Sequence, residues 1–208
     1  MGCFVRFTGV LALSGLLIGC QTTNVEEVAV TKPLPPMEEP AIWTVGSTFV
    51  NQDMDSKKIH EFEYIARNGL LVTSKSKDGC ITVRDYANPF SQNVKWENCN
   101  IDGTNVITRL DDNPIWPLKI GNNWSYGEKG ENVNGETWET VRECEVEKQV
   151  KVTTQLGNFD TFKVVCSDKW TVRTWYAAPE YKQSVLYTIF RKSRNTTRTY
   201  ETVSFTVN

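Results

Sequence analysis

From Trp43 onward, apolar and polar side chains alternate with a period of two, and this pattern restricts the fold more than any other feature of the chain. Phe62 and Tyr64 alternate with Glu61 and Glu63, and Ile81 and Val83 with Thr82 and Arg84. Val150 and Val152 alternate with Gln149 and Lys151, and Val203, Phe205 and Val207 with Thr202, Ser204 and Thr206. Such alternation buries one face of a strand and wets the other. Asn68-Gly69, Asp78-Gly79, Asp102-Gly103 and Asn134-Gly135 fall between these segments, and such pairs accept the positive φ of tight hairpins. No stretch after residue 43 carries an apolar stripe of helical period. The expected class is all-β and antiparallel, a hairpin-built sandwich or curved half-barrel, long enough to bury a real core.

The chain opens differently. Arg6 is followed by an apolar run from Phe7 to Ile18 that ends in Leu17-Ile18-Gly19-Cys20. A basic start, a short apolar stretch and a small residue before the cut make a secretory signal, and the run is shorter than the ~20 residues of a spanning helix. Leu17-Ile18-Gly19-Cys20 resembles the lipobox of bacterial lipoproteins. That resemblance implies removal of residues 1–19 and acylation of the Cys20 thiol. Two acyl chains anchor stably where one is marginal, at about 0.8 kcal/mol per buried CH₂. Gln21 in place of Asp follows the enterobacterial pattern for the outer membrane, so the expected location is the envelope of a Gram-negative bacterium, lipid-anchored and facing the periplasm. A eukaryotic acylation signal at Met1-Gly2-Cys3 fits less well, because Arg6 stands where that signal needs Ser or Thr.

Residues 20–42 read as a tether. Pro33, Pro35, Pro36 and Pro40 block ladder formation, and Glu26, Glu27, Glu38 and Glu39 favour solvation. An extended proline-rich spacer, at about 3.1 Å per residue, would hold the domain up to about 60 Å from the bilayer. The expected organisation is a signal peptide (1–19), the acylated tether (20–42) and a β-rich domain (43–208).

With Cys3 removed and Cys20 acylated, Cys80, Cys99, Cys144 and Cys166 remain. An even number in an exported domain points to disulfides. Three connectivities are open; Cys80–Cys99 with Cys144–Cys166 is favoured, since each pair can bridge neighbouring strands within one half.

An internal echo links Ile42-Trp43-Thr44-Val45-Gly46 with Ile115-Trp116 through Gly121, each leading to an aromatic that starts a strand. It admits two related halves, 43–114 and 115–208. The run Trp116-Pro117-Leu118-Lys119-Ile120-Gly121-Asn122-Asn123-Trp124-Ser125-Tyr126 resembles the opening of a group of uncharacterised β-rich proteobacterial envelope proteins. Gln155 to Val164 resembles their central turn and Thr174 to Tyr181 their late Trp-Tyr-Ala-Pro hairpin, with Leu156 in place of the usual small residue. The resemblance spans roughly Ile115 to Phe205. It implies an exported all-β domain and supplies no activity.

No catalytic constellation stands out. The single histidine, His60, lies in a strand pattern without a Gly-x-Ser-x-Gly elbow or a free cysteine to serve. Glu143, Glu145 and Glu147 share one strand face, whereas glycoside cleavage needs two carboxylates facing each other. Asp53 and Asp55 lack the remaining spacing of a calcium loop. No catalytic residue, metal site or cofactor is expected, and a redox or zinc role finds no CxxC pair.

Two groups suit a ligand or partner surface. Trp175, Tyr176 and Tyr181 bring aromatics to one hairpin, and Arg191, Lys192 and Arg194 flank a turn in a segment with eight basic and four acidic residues from Asp160 to Asn208. Such a turn could meet an envelope protein, a lipid head or an anionic glycan. The whole chain is slightly acidic, at −2, which with export argues against nucleic acid. The sequence therefore points to a non-enzymatic envelope lipoprotein that binds or assembles other envelope components. The alternatives are a carrier holding a hydrophobic ligand in a curved sheet and, third, a glycan-acting hydrolase.

Overall fold

The computed structural model describes residues 25–41 and 44–208; Cys20, the signal segment, Ile42 and Trp43 lie outside these residues. The strands are β1 (Val28–Ala29), β2 (Thr48–Asp53), β3 (Ile59–Asn68), β4 (Leu71–Ser76), β5 (Ile81–Asp85), β6 (Lys95–Glu97) and β7 (Gly103–Arg109). They continue with β8 (Asn123–Asn132), β9 (Thr137–Thr154), β10 (Gly157–Ser167), β11 (Thr171–Ala178), β12 (Gln183–Arg191) and β13 (Thr196–Thr206). No helix occurs among the described residues.

Each strand from β2 to β13 pairs antiparallel with the next, and β13 returns to pair with β2 through registers such as Phe205↔Phe49. The twelve strands β2–β13 thus close into an up-and-down barrel, which removes the exposed edges an open sheet would carry. Closure resolves the choice between sandwich and half-barrel. The segments 43–114 and 115–208 contribute β2–β7 and β8–β13. Their disulfides do not correspond, however: Cys80–Cys99 brackets β5 and β6, while Cys144–Cys166 is a cross-strand pair of β9 and β10.

Asn68-Gly69, Asp78-Gly79 and Asn134-Gly135 sit at hairpin turns, with Gly φ of +59°, +93° and +78°. Asp102-Gly103 does not. Gly103 opens β7 opposite Trp96, and a Cβ there would lie 2.4 Å from the Trp96 ring. Gly130 repeats the device opposite Trp138, where a Cβ would lie 2.3 Å from the indole. The two indoles stack at 6.0 Å, each covering the bare backbone of a strand glycine.

Trp124, Tyr126, Cys144, Val146, Val164 and Trp175 form the main core on one face of β8–β11. Val150, Val152, Phe159, Tyr176 and Val185 form a second cluster. A bulge between Lys163 and Val164 changes the pairing phase along β9 and β10, which sends Val150 and Val152 to the face opposite Cys144 and Val146. On β11 the five residues from Thr174 to Ala178 are all buried. Tyr64, Val72 and Tyr86 make a third cluster, joined to the second by Phe205.

The proline-rich stretch departs from the solvated spacer expected for it. Val25 packs on the second cluster, and β1 adds to the free side of β9. Glu27 accepts from Lys148 at 2.7 Å, from Lys163 at 3.1 Å and from the Tyr176 hydroxyl at 2.7 Å. The Gln149 side chain exchanges two hydrogen bonds with the Leu34 backbone, Met37 is 4 % exposed and pairs with Leu118, and Ala41 N donates to Lys182 O. The prolines stop regular pairing, yet Val25, Leu34 and Met37 supply apolar anchors between them, so residues 25–41 lie against the barrel wall.

Candidate ligand cavity in the barrel

The barrel interior is filled at one side by the main core and open at the other. A cavity of about 390 Å³ lies beside Phe90, Trp175 and Tyr187, within the size range of small-ligand pockets. Phe90 is its central aromatic, with ring centroids of Trp124 and Trp175 at 5.6 Å and Trp116 at 6.0 Å. On the wall from β3 to β5, the Tyr64 and Tyr86 hydroxyls lie 2.6 Å apart, and those of Ser74 and Thr82 2.9 Å apart. Burial pushes Tyr64 and Tyr187 well above the ordinary phenol range, so both remain neutral donors.

The cationic residues on the cavity wall are Arg84, Arg173 and Lys182; no Asp or Glu is among the lining residues. Arg84 Nε donates to the Asn93 side chain at 3.3 Å, and Arg84 and Lys182 are exposed. The turn that carries Lys182 and the end of β5 that carries Arg84 lie at the same end of the barrel. Their exposure makes this the accessible end of the cavity. Arg173 is further inside, where burial first and the neighbouring Arg142 second lower its guanidinium to about 10. It is still charged at neutral pH.

Behind Arg173 lies a buried ionic cluster. Arg142 Nη2 is 2.6 Å from Asp168 and 3.3 Å from Glu128, all three with side chains at most 2 % exposed. Asp168 also accepts from the Trp170 and Thr171 backbone, and Gln92 donates to Glu128. Arg173 makes no hydrogen bond or ion pair among the described residues, and its Nε is a sealed, unpartnered donor. Trp116 Nε1, on the same cavity wall, is a second.

The expected surface residues do not form one surface. Trp175 lines the cavity at 8 % exposure, while Tyr176, one residue on, faces the opposite side and is held by Glu27. Strand alternation separates them. Tyr181 is packed between Phe159 at 5.5 Å and Phe205 at 4.9 Å. Arg191, Lys192 and Arg194 sit at the other end of β12, and Lys192 is turned back onto Ser167 and the Asp168 carbonyl. Arg194 stays exposed.

The four cysteines join as Cys80–Cys99 and Cys144–Cys166, with Cα separations of 4.5 and 4.0 Å. Glu143, Glu145 and Glu147 stand exposed in a row on β9, beside an open depression that Asp111 also borders. Side chains in such a row point away in parallel, not toward one another. His60 lies between Phe62 and Tyr200 on the barrel strands, with ring centroids at 6.5 and 6.3 Å. Among the described residues, no group of three or more His, Cys, Asp or Glu is placed to hold a metal.

Sequence reasoning missed Arg142, Glu128 and Arg173. Their signal was parity: Arg142 shares the inward phase of Cys144 and Val146, Glu128 that of Trp124 and Tyr126, and Arg173 that of Trp175. Charged residues at inward positions mark polar interiors.

No family model matches the chain, and no curated protein matches it. Among solved structures, the fold is similar to that of the hypothetical lipoprotein YmcC from Escherichia coli, with a TM-score of 0.52 at 11 % identity, covering 76 % of this chain and 83 % of that one. An exported-type protein from Bacteroides fragilis with a YmcC-like fold aligns at a TM-score of 0.44 and 9 % identity, over 83 % of this chain and 100 % of that one. The likeness to the YmcC structure is one of fold.

Proposed function

We propose that this chain is a non-enzymatic, lipid-anchored protein of the bacterial cell envelope whose barrel binds a small amphipathic ligand. The cavity of about 390 Å³, with aromatic walls and a few placed polar groups, carries this reading. The resemblance of Leu17-Ile18-Gly19-Cys20 to a lipobox supports anchoring at Cys20, and the residue after it, Gln21, supports the outer membrane with the barrel in the periplasm. The hypothetical lipoprotein among its structural neighbours supports the same compartment. Native mass spectrometry of the protein purified from its own membranes tests both parts. The expected spectrum shows residues 1–19 absent, a diacylglycerol mass on Cys20 and a co-purified small molecule. An unmodified Cys20 thiol, or a barrel that is always empty, removes the corresponding half of the proposal.

A second reading, an assembly partner for other envelope components, is favoured by the exposed Arg194 at the β12–β13 turn. Crosslinking in whole cells distinguishes it. Capture of one envelope protein, lost when Arg191, Lys192 and Arg194 are changed to Gln, would support partner docking; no capture would leave the ligand carrier.

A further inference from the structure

We infer that the cavity takes a single-chain anionic amphiphile, its carboxylate or phosphate monoester head held by Arg173 and its tail laid along Phe90 and Trp175 toward Lys182. The inference rests on the ligand-binding reading above and names the ligand's chemistry. Three observations on the cavity wall lead to it.

The first is charge. Arg84, Arg173 and Lys182 line the cavity and no carboxylate does. The Arg142–Glu128–Asp168 cluster behind the wall carries one net negative charge that balances Arg173 at a distance, but neither acid hydrogen-bonds it. A guanidinium offers a planar fork of donors suited to a bidentate oxyanion. Among the described residues, none hydrogen-bonds or ion-pairs with that fork.

The second is polarity of the unmet groups. Buried polar atoms are almost always partnered in folded proteins. The two sealed side-chain atoms on this wall that lack partners, Arg173 Nε and Trp116 Nε1, are both donors. A ligand seated against the Arg173 guanidinium must bring acceptors, and a carboxylate or phosphate brings at least two on one charged head, a sterol a single hydroxyl and an alkane none.

The third is shape. Arg173 and Ala177 both line the cavity, four residues apart on β11, a rise of about 13 Å. That matches an extended medium-length acyl chain with its head inside. Tyr187 stacks on Tyr200 at 4.7 Å and closes the wall next to Trp175. Phe90 and Trp175, in edge contact at 5.6 Å, provide the apolar surface for the tail.

The test uses the acylated full-length mature protein in phosphatidylcholine vesicles, titrated with dodecanoate, dodecyl phosphate and dodecanol. Tryptophan fluorescence is the readout, and protein-free vesicles correct for partition into the bilayer. The expected result is saturable binding of at least one anion, with Arg173→Gln weakening it roughly ten- to a hundredfold, the worth of a charge-assisted hydrogen bond, and Arg173→Lys, which keeps the charge and loses the fork, weakening it less. Whichever anion binds more tightly identifies the head. Equal binding of dodecanol and both anions by the unmodified protein overturns the charge inference while leaving a ligand-binding barrel, and this comparison needs no variant. Binding of none of the three overturns both. Anion binding that Arg173→Gln leaves unchanged, in a variant with the parent melting temperature, removes the head from Arg173.

Discussion

Arg142 on β9 reaches Asp168, in the loop between β10 and β11, at 2.6 Å, one step beyond Ser167↔Glu143, the last pair of the β9–β10 ladder. Glu128 on β8 takes the other side of the same guanidinium. Breaking a buried pair from one side leaves uncompensated charge, at a cost of about 3–5 kcal/mol. Arg142→Met strands two carboxylates at once. It should lower stability by the upper part of that range in urea unfolding, and more than Asp168→Asn, which keeps a hydrogen-bonding group. Equal midpoints for Arg142→Met and the parent protein would show that the cluster is not structural.

Glu27 fastens the N-terminal segment to β9 and β10 through Lys148, Lys163 and Tyr176. Burial alone raises its carboxyl, but hydrogen bonds from Lys148, Tyr176 and Lys163 outweigh it, and the net shift is downward. A carboxylate lowered on folding stabilises above its unfolded pKa, and that contribution disappears as pH falls through the folded value. Residues 25–41 should therefore detach in acid, below the ordinary carboxylate range, before the barrel melts. Amide exchange at Val28 and Ala29 reports this, and Glu27→Gln should raise exchange there at neutral pH, at a cost of about 1–2 kcal/mol.

Gly103 and Gly130 are bare because indoles lie over them. Gly130→Ala places a methyl 2.1 Å from the Asn105 side chain and 2.3 Å from Trp138, and overpacking of that kind costs about 1–3 kcal/mol. Gly127, on the same strand with its nearest neighbour at 3.8 Å, is the control. Thermal melts should fall for Gly103→Ala and Gly130→Ala and hold for Gly127→Ala.

The two disulfides should respond differently to reductant. Cys144 and Cys166 are 3 % and 0 % exposed inside the main core, whereas Cys80 and Cys99 lie at a half-exposed edge. Mild reduction followed by thiol alkylation should label Cys80 and Cys99 first. Removing either bridge by paired Cys→Ala changes should cost roughly 3 kcal/mol on the loop-entropy account.

The strands were legible because their alternation is local. Phe62 and Tyr64 line the cavity and Val150 and Val152 are buried, as their spacing demands, and three of four Gly-containing dipeptides are turns. What depends on bulges was not. A register shift between Thr202 and Ser204 puts Thr202, 7 % exposed, on the cavity wall together with Phe205, three positions on, against the strict alternation that Val203, Phe205 and Val207 suggest. A single extra residue reverses every side chain beyond it, and no composition rule announces it. Closure of β13 on β2 joins residues about 150 positions apart, such as Tyr200 and Asp53, and nothing local encodes that meeting. The docked N-terminal segment was obscured by its prolines, whose local effect is real while Leu34 and Met37 act through distant partners. The cavity was hidden because Arg173 and Trp116 become unusual only when the surrounding wall shows that nothing answers them.

The seating of Val25 beside the β9–β10 turn has a consequence for how the molecule would stand in the cell. Cys20 is five positions before Val25, at most about 18 Å of stretched chain, and Val25 lies at the barrel end where Lys182 and Arg84 surround the entrance. A fatty anchor at Cys20 would leave almost no slack. The barrel would rest doorway-down on the lipid, and cargo could pass between bilayer and interior with little exposure to water.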